Sequence, residues 1–136
     1  MAVVVFDSDV LIGFLSASDP HHDDAVALVR DSFAPGTRRM LSAVNYSEIL
    51  IGPIRAGKEA REHVDAMLGH CSIEIMTVDG SLARQAATVR ARTGLKLPDA
   101  YALATAVHAE HNGHSDVRLA SFDRAVIRAH AELHPD

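Results

Sequence analysis

The stretch VVVFDSDVL, residues 3–11, decides the fold of this chain. Four apolar residues, three of them β-branched, precede the acidic segment Asp7-Ser8-Asp9. A continuous apolar run of this kind predicts a strand that is buried on both faces, as in a parallel sheet covered by helices. Ligands of such sheets bind beyond the carboxyl ends of the strands. The pattern therefore places Asp7 where these folds carry out their chemistry.

Length and composition predict one globular domain over residues 1–136. A hydrophobic content of 48% excludes a disordered chain. The single cysteine, Cys71, allows no internal disulfide and fits a reducing cytoplasm, where we expect the protein to be located; we interpret it as a small core residue. Because no apolar run reaches ~18 residues and the chain starts with a strand pattern, we expect neither a membrane span nor a signal peptide.

The charge distribution is uneven. A net charge of −5 argues against a general nucleic-acid binder, and four Phe, two Tyr and no Trp argue against a base-stacking platform. Residues 80–98 nevertheless carry cations and no acid; the cations are Arg84, Arg90, Arg92 and Lys96. This run is either a basic face that grips a polyanion beside an acidic pocket or an ordinary solvated helix face.

Strand and helix patterns alternate along the chain in the order β-α-α-β-α-α-β-α-α-β-α. After the first strand, the predicted strands are residues 38–44, 72–78 and 117–121. The predicted helices are residues 12–17, 22–33, 45–51, 55–69, 81–93, 98–112 and 122–133. Gly52-Pro53 predicts either an interruption or a kink, because Pro53 has no backbone N–H. The pattern predicts a three-layer α/β/α domain with a mostly parallel sheet of four or five strands.

Carboxylates follow or flank three of these strands and one helix start. Asp7 ends the first strand, Glu48 lies one turn into the helix after the second, Asp99 is in the first turn of the helix begun by Pro98, and Asp123 follows the fourth strand. Asp9 is a candidate fifth member. Because crowded like charges repel, they favour a hard divalent cation such as Mg²⁺ or Mn²⁺. Two such ions ~3.5–4 Å apart support in-line phosphodiester displacement.

Each of these acids also has a structural interpretation. A helix N-terminus accommodates an acid as a cap or through its dipole, and Asn45 with Glu48 has the spacing of a capping box. The shared location of the acids at one end of the sheet favours the functional interpretation. Asp116 precedes the fourth strand and therefore belongs at the opposite edge, so we exclude it from the site.

Four segments resemble the motifs of PIN domains, in the same order along the chain. VVVFDSDVLIGFL is similar to the opening strand of that family, and SAVNYSEIL is similar to its second motif, with Glu48 as the acid. KLPDAYALATAVHA resembles the third motif and is the most specific segment. LASFDRAV resembles the fourth, with Ser121 at the usual Thr/Ser position and Asp123 as the acid. Order, spacing and length together resemble VapC-type toxins of bacterial toxin–antitoxin pairs.

The resemblance implies an endoribonuclease that depends on Mg²⁺ or Mn²⁺. Its metal ligands, directly or through water, would be Asp7, Glu48, Asp99 and Asp123. Ser121, and also Ser8, would hold a water molecule or a carboxylate next to them. The family further implies a homodimer and a VapB-like antitoxin whose tail blocks the site.

The chain departs from the family pattern in two places. Asp9 stands where the family more often has Ser, Asn or another small residue, so it is either an added ligand or a helix cap. The C-terminal segment AVIRAHAELHPD has a helical pattern and lacks the short final strand of many relatives. A fifth strand is therefore not required by the sequence.

Other enzyme and non-enzyme classes share parts of this pattern. VVVFDSDV also matches the Asp-x-Asp start of haloacid-dehalogenase-type phosphatases, in which Asp7 would be the nucleophile and Ser121 a later hydroxyl, but neither Lys58 nor Lys96 is well placed. A phospho-acceptor domain would use Asp79 but needs a lysine after the last strand. A PIN-like domain that only binds partners would not need acids at all four motif positions.

The nine histidines do not form a complete metal-binding pattern. His108 and His111 share one helix face, as do His130 and His134, but neither pair has a third ligand in the sequence pattern. We therefore interpret them as solvated residues or as residues that face a second subunit.

Overall fold

The structure is a computed structural model that describes residues 2–133, and these residues form four strands and seven helices. The strands are β1 (Ala2–Phe6), β2 (Thr37–Ser42), β3 (Ile73–Met76) and β4 (Asp116–Ala120). The helices are α1 (Ser8–Leu15), α2 (His22–Asp31), α3 (Ala43–Ala56), α4 (Lys58–His70), α5 (Gly80–Thr93), α6 (Leu97–His111) and α7 (Arg124–Glu132). Their order along the chain is the predicted one.

The sheet has the strand order β3-β2-β1-β4, and every neighbouring pair is parallel. β1 lies between β2 and β4, so the VVVF run is covered on both edges as well as on both faces. The described residues contain no fifth strand, and His134 to Asp136 lie outside them. The predicted α/β fold with a parallel sheet is confirmed.

Alternate residues of β1 build the core on the two faces of the sheet. Val3 and Val5 pack against α6 at Ala106, whose small side chain lets the helix approach closely. Val4 and Phe6 point the other way, into the larger core formed by α1 to α4. Helices therefore cover both faces, which is why this strand contains no polar residue until Asp7.

Of the two predictions for Gly52-Pro53, the interruption is wrong. α3 continues through Pro53 and ends at Ala56, so the proline falls in the last turn, where it removes only one backbone hydrogen bond. The chain turns into α4 at Gly57, whose φ of 132° lies in a region that glycine adopts at little cost. A positive φ, and not the missing N–H, separates these two helices.

Two helix starts also differ from the predictions. α1 begins at Ser8, directly after Asp7, instead of at residue 12. α3 begins at Ala43 with Ser42 as its N-cap, and the Ser42 Oγ accepts a hydrogen bond from the Val44 N–H at 3.2 Å. Asn45 therefore lies inside the helix and is not the first residue of a capping box. Among residues 2–133, no helix has the length and apolarity that a bilayer-spanning segment needs.

Candidate active site

Asp7 is the most deeply placed acid, with 1% of its surface exposed. Its backbone N–H continues the β1–β4 pairing by donating to the Ala120 carbonyl at 2.9 Å. Its two carboxylate oxygens accept hydrogen bonds from the Ser8 N–H and the Ser121 Oγ, both at 2.8 Å. Burial, together with the charges of Asp9 and Asp99, raises the pKa of Asp7 to about 7 against the opposing effect of these hydrogen bonds.

Ser121 connects two of the predicted acids. Its hydroxyl donates to Asp7 and accepts a hydrogen bond from the Asp123 N–H at 3.0 Å. The side chain is buried, so this geometry is held by packing as well as by the two bonds. Ser8, also buried, contacts Asp7 through its backbone N–H.

Asp9 lies in the first turn of α1 and joins that helix to the β4–α7 loop. Its Oδ2 accepts a hydrogen bond from the Phe122 N–H at 3.0 Å, whereas its buried Oδ1 has no hydrogen-bond partner within the described residues. Burial is the largest cause of a raised pKa at Asp9, and the charge of Asp123 adds to it. The N-cap of α1 is Asp7, so of the two sequence interpretations of Asp9 the helix cap is wrong.

Glu48 and Asp99 come from α3 and α6 and are joined by a buried amide. The Asn45 Nδ2 donates to the Glu48 Oε1 and to the Pro98 carbonyl, each at 3.1 Å, and Asn45 is 0% exposed. The pKa of Asp99 is raised by burial first and then by the charges of Asp123, Glu48 and Asp9. The sequence indicates only a helix-capping role for Asn45, and its spacing to Glu48 is the one signal of the contact between these two side chains.

Asp123 is the N-cap of α7, where its Oδ1 accepts a hydrogen bond from the Ala125 N–H at 2.8 Å. Its side chain is exposed, and its charge acts on both Asp9 and Asp99. Asp116 begins β4, opposite Ala2 at the start of β1, and therefore lies at the other edge of the sheet. The structure thus brings together the acid cluster, which consists of Asp7, Asp9, Glu48, Asp99 and Asp123.

The acid cluster is a region of concentrated negative charge without ion pairs to lysine or arginine within the described residues. Within residues 2–133, no lysine or arginine forms an ion pair with its members; Lys96 acts on Asp99 only as a neighbouring charge. The raised pKa values record this mutual repulsion together with burial. Carboxylate oxygens are the donors that a hard divalent cation prefers, and the buried Oδ1 of Asp9 has no hydrogen-bond partner within the described residues.

The carboxylates of the acid cluster lie near enough to one another to interact electrostatically. In the part of the chain that is described, no three Asp, Glu, His or Cys side chains are already converged into a metal-binding group. Mg²⁺ typically binds through one or two carboxylates and keeps several of its water molecules. Such a hydrated cation fits acids that are near one another without being in contact.

The cations of residues 80–98 differ in what they contact. The Arg90 Nη1 donates to the carbonyls of Gly94 and Leu95, at 3.2 and 2.6 Å, and so closes the C-terminus of α5. Lys96 precedes α6 and lies close enough to lower the pKa of Asp99. Arg84 and Arg92 are exposed.

Within residues 2–133, the histidine side chains make their contacts away from the acid cluster, with one exception. His108 contacts Asn112, and the His130 ring nitrogen lies 3.5 Å from a Glu110 oxygen. His134, which the sequence pairs with His130, lies outside the described residues. The exception is His21, whose ring stacks on Phe122 with 4.8 Å between centroids and 22° between planes. No pattern in the sequence indicated this contact.

Comparison with known proteins gives one family and several similar folds. The family model described as PIN domain matches residues 4–133. The chain is similar to a toxin–antitoxin complex from Klebsiella pneumoniae, with a TM-score of 0.68 and 21% identity over 90% of this chain and 87% of that one. It is also similar to Mycobacterium tuberculosis VapC20, described as a Sarcin-Ricin loop cleaving toxin, with a TM-score of 0.69 and 21% identity over 95% of both chains.

A third similar structure is VapBC2 from Rickettsia felis bound to a DNA fragment from their promoter. Its TM-score is 0.55 and its identity 14%, over 90% of this chain and 100% of that one. No curated protein matches the chain. At these identities, the structural likeness shows that the fold is shared.

Proposed function

Because the chain belongs to the PIN domain family, we propose that it is a metal-dependent endoribonuclease and the toxin of a VapBC-like type II toxin–antitoxin pair. The acid cluster at the carboxyl edge of the parallel sheet is the observation that carries this proposal. The pKa values of Asp7, Asp9 and Asp99 are raised by burial and by neighbouring acids, and no member forms an ion pair with a lysine or arginine within the described residues. The description of VapC20 as a toxin that cleaves the Sarcin-Ricin loop supports RNA as the substrate class.

In this proposal, the acids hold Mg²⁺ or Mn²⁺ directly or through water. The ligands would be Asp7, Glu48, Asp99 and Asp123. When bound, the cation would neutralise charge on the phosphodiester and lower the pKa of a bound water molecule. Ser121 keeps the Asp7 carboxylate in place, and Asn45 does the same for Glu48. Asp9 orients the β4–α7 loop and keeps one oxygen free to bind the cation's water.

Substitution of single acids tests the reaction. We expect Asp7→Asn and Asp99→Asn each to lower Mg²⁺- or Mn²⁺-dependent cleavage of RNA by at least roughly 100-fold, the scale of losing one group that stabilises transition-state charge. Cleavage is measured on labelled RNA with and without EDTA. The matched control is Asp116→Asn, an acid at the opposite edge of the sheet, which should cleave like the unmodified protein. Normal cleavage by both site variants would end the proposal.

The antitoxin is the expected protein partner, since two of the similar structures are described as a toxin–antitoxin complex and as VapBC2. An apolar groove of about 460 Å³ between α1 and α3 offers a surface for it, and Glu48 lies at its border. Ile12 and Ile51 in this groove are 41% and 52% exposed. An apolar segment seated there would end beside the acid cluster, because Glu48 belongs to both.

Co-expression with a small DNA-binding protein encoded next to this gene tests the partner. We expect Ile51→Glu to abolish co-purification, because the carboxylate would be buried in the apolar groove. Ile75→Glu is the control, since Ile75 is 44% exposed on the edge strand β3, outside the groove. Equal co-purification of both variants and the unmodified toxin would exclude the groove as the docking surface.

A homodimer and a cytoplasmic location are further parts of the proposal. The free thiol of Cys71 is compatible with a reducing compartment. Sedimentation velocity on the purified protein measures the oligomeric state directly, and a monomer at all concentrations would remove the homodimer from the proposal.

The phosphatase and phospho-acceptor alternatives are not favoured. Lys58 pairs with Glu62 at 3.8 Å on the surface of α4, so it is not available to a nucleophilic Asp7. Asp79 caps α5 by accepting a hydrogen bond from the Leu82 N–H at 2.9 Å. Neither alternative explains why five acids lie near enough to interact electrostatically.

A further inference from the structure

Among residues 2–133, His21 and Phe122 form a ring–ring stack at the rim of the acid cluster. His21 stands in the turn before α2 and is exposed, and Phe122 follows β4 and is half-buried. Their ring centroids are 4.8 Å apart and the planes differ by 22°, so the imidazole lies nearly flat on the phenyl ring. The outer surface of the pair faces solvent through His21.

Hydrogen bonds hold the two segments that carry the rings, and the one at Phe122 joins its segment to the acid cluster. The Phe122 N–H donates to the Asp9 Oδ2 at 3.0 Å, and the next residue is Asp123. The His21 N–H donates to the Asp19 Oδ1 at 2.8 Å, and the neighbouring His22 ring contacts the Gly13 carbonyl at 2.8 Å. His21 is near enough to Asp9 to act on its charge. The stack is therefore a fixed part of the rim and not a loose surface contact.

Because the protein has a net negative charge, its binding of a polyanion benefits from a contact that does not depend on charge. The net charge is −5, and the acid cluster adds repulsion where a phosphodiester has to approach. Counterion release from phosphates, the usual source of nucleic-acid affinity, needs lysines and arginines. Base stacking on a ring does not depend on net charge, and single-stranded RNA is recognised by stacking on Phe, Tyr, Trp or His.

We propose that the His21–Phe122 pair is a stacking surface for one base of the RNA strand, next to the phosphodiester that reaches the acid cluster. This inference rests on the proposed ribonuclease function and names the part of the substrate that the site grips. It assigns a substrate-positioning role to His21, which lies outside the four motifs, and to Phe122, which lies within the fourth motif but is not an acid.

RNA binding by protein that cannot cleave tests the proposal. The probe is a fluorescein-labelled oligoadenylate of about 12 nucleotides, added to the Asp7→Asn protein with Mg²⁺ and followed by fluorescence anisotropy. We expect a further His21→Ala substitution to raise the dissociation constant roughly 5- to 150-fold. The matched control is His63→Ala, since His63 is exposed on α4 away from the site.

A second set of variants separates stacking from charge. His21→Phe keeps a flat ring without the imidazole nitrogens and should bind within about threefold of the parent. Phe122→Leu keeps the backbone bond to Asp9 but removes the lower ring, so it should weaken binding as His21→Ala does. If His21→Phe loses as much affinity as His21→Ala, the imidazole contacts phosphate and the stacking proposal fails.

An RNA probe with abasic positions gives the decisive comparison. We expect the effect of His21→Ala to disappear on a strand without bases, because the ring then has nothing to stack on. An equal loss on both probes, no loss on either, or no binding of oligoadenylate by the Asp7→Asn protein would overturn the proposal. Cleavage by the unmodified protein is measured separately. Binding that depends on the ring, without any cleavage, would support the stacking surface and contradict the nuclease function.

Discussion

Asp7 is a carboxyl group from which water is almost excluded. It follows the central strand, is 1% exposed, and lies within the influence of Asp9 and Asp99. Two hydrogen bonds favour its charged form, yet burial and like charges outweigh them and raise its pKa to about 7. Without a cation, the folded protein therefore holds a proton at Asp7 that an unfolded chain releases at much lower pH.

This proton makes stability depend on pH. The pKa of Asp7 is about 7 in the folded protein and 3.8 in its ordinary range, so between these values the folded state binds more protons than the unfolded state. The free energy of unfolding must then fall as pH rises through this interval. In EDTA, we compare the free energy of unfolding of Asp7→Asn with that of the unmodified protein. We expect this difference to shift in favour of Asp7→Asn by on the order of 2 kcal/mol between about pH 5 and about pH 8.

Urea unfolding of both proteins at the two pH values measures this double difference. Titrating groups that do not interact with Asp7 contribute equally to both proteins and cancel. Asp116→Asn is again the control, since Asp116 lies at the opposite edge of the sheet. A stability difference between Asp7→Asn and the unmodified protein that is the same at both pH values would show that Asp7 ionises normally.

Neutral polar side chains determine where the acids point. Ser121 was identified from its place in the fourth motif, and the structure puts its hydroxyl on Asp7. Asn45 was not identified as a site residue, because its contact with the Pro98 carbonyl spans 53 positions of sequence. A motif reveals residues close to the acid in the chain, but not those that reach it from another helix.

Arg39 of β2 forms hydrogen bonds with the C-terminal ends of two helices. Its Nε donates to the Cys71 carbonyl at 2.7 Å, after α4, and its Nη1 donates to the Ser32 carbonyl at 2.8 Å, after α2. Its guanidinium also lies 4.5 Å from the centre of the Phe33 ring. Both carbonyls are at helix C-termini, where the backbone dipole favours a cation.

We expect Arg39→Ala to lower the free energy of unfolding by about 1–3 kcal/mol, because it leaves two helix-end carbonyls without their donor. The neighbouring Arg38→Ala is the matched control. Arg38 forms an exposed ion pair with Glu74 at 2.9 Å, and such pairs contribute less than about 1 kcal/mol. Chemical denaturation measures both variants; equal effects would show that Arg39 does not join the two helices.

The acid cluster gathers side chains from elements that are distant in the chain. Asp7 and Asp9 flank the start of α1, Glu48 comes from α3, Asp99 from α6 and Asp123 from the start of α7. Because only the folded chain assembles these charges, a cation that binds among them stabilises the folded state alone. Metal binding and thermal stability are therefore linked in this molecule.

We expect Mg²⁺ or Mn²⁺, at a concentration about 100 times its dissociation constant, to add roughly 2–3 kcal/mol and raise the unfolding temperature by several degrees. Differential scanning fluorimetry measures the shift, with NaCl at equal ionic strength as the salt control. The shift should be lost in Asp99→Asn and kept in Asp116→Asn. An identical shift with NaCl would show that screening, and not a bound cation, relieves the repulsion.

The sequence by itself determined the order of the elements, the parallel sheet and the positions of the acids at its carboxyl edge. These follow from apolar runs and helical spacing, which depend on neighbours in the chain. Local signals were less successful at boundaries: α3 passes through Pro53 and ends before Gly57, because a proline in a last turn removes one hydrogen bond whereas the turn itself needs a positive φ.

Only the tertiary structure decided how the acids ionise and what surrounds them. The Ser121–Asp7 contact joins residues 114 positions apart, and the stack of His21 on Phe122 joins the turn before α2 to the loop after β4. Electrostatic repulsion, desolvation and ring stacking depend on distance through space. A sequence pattern records which residues are present, but their separation exists only once the chain has folded.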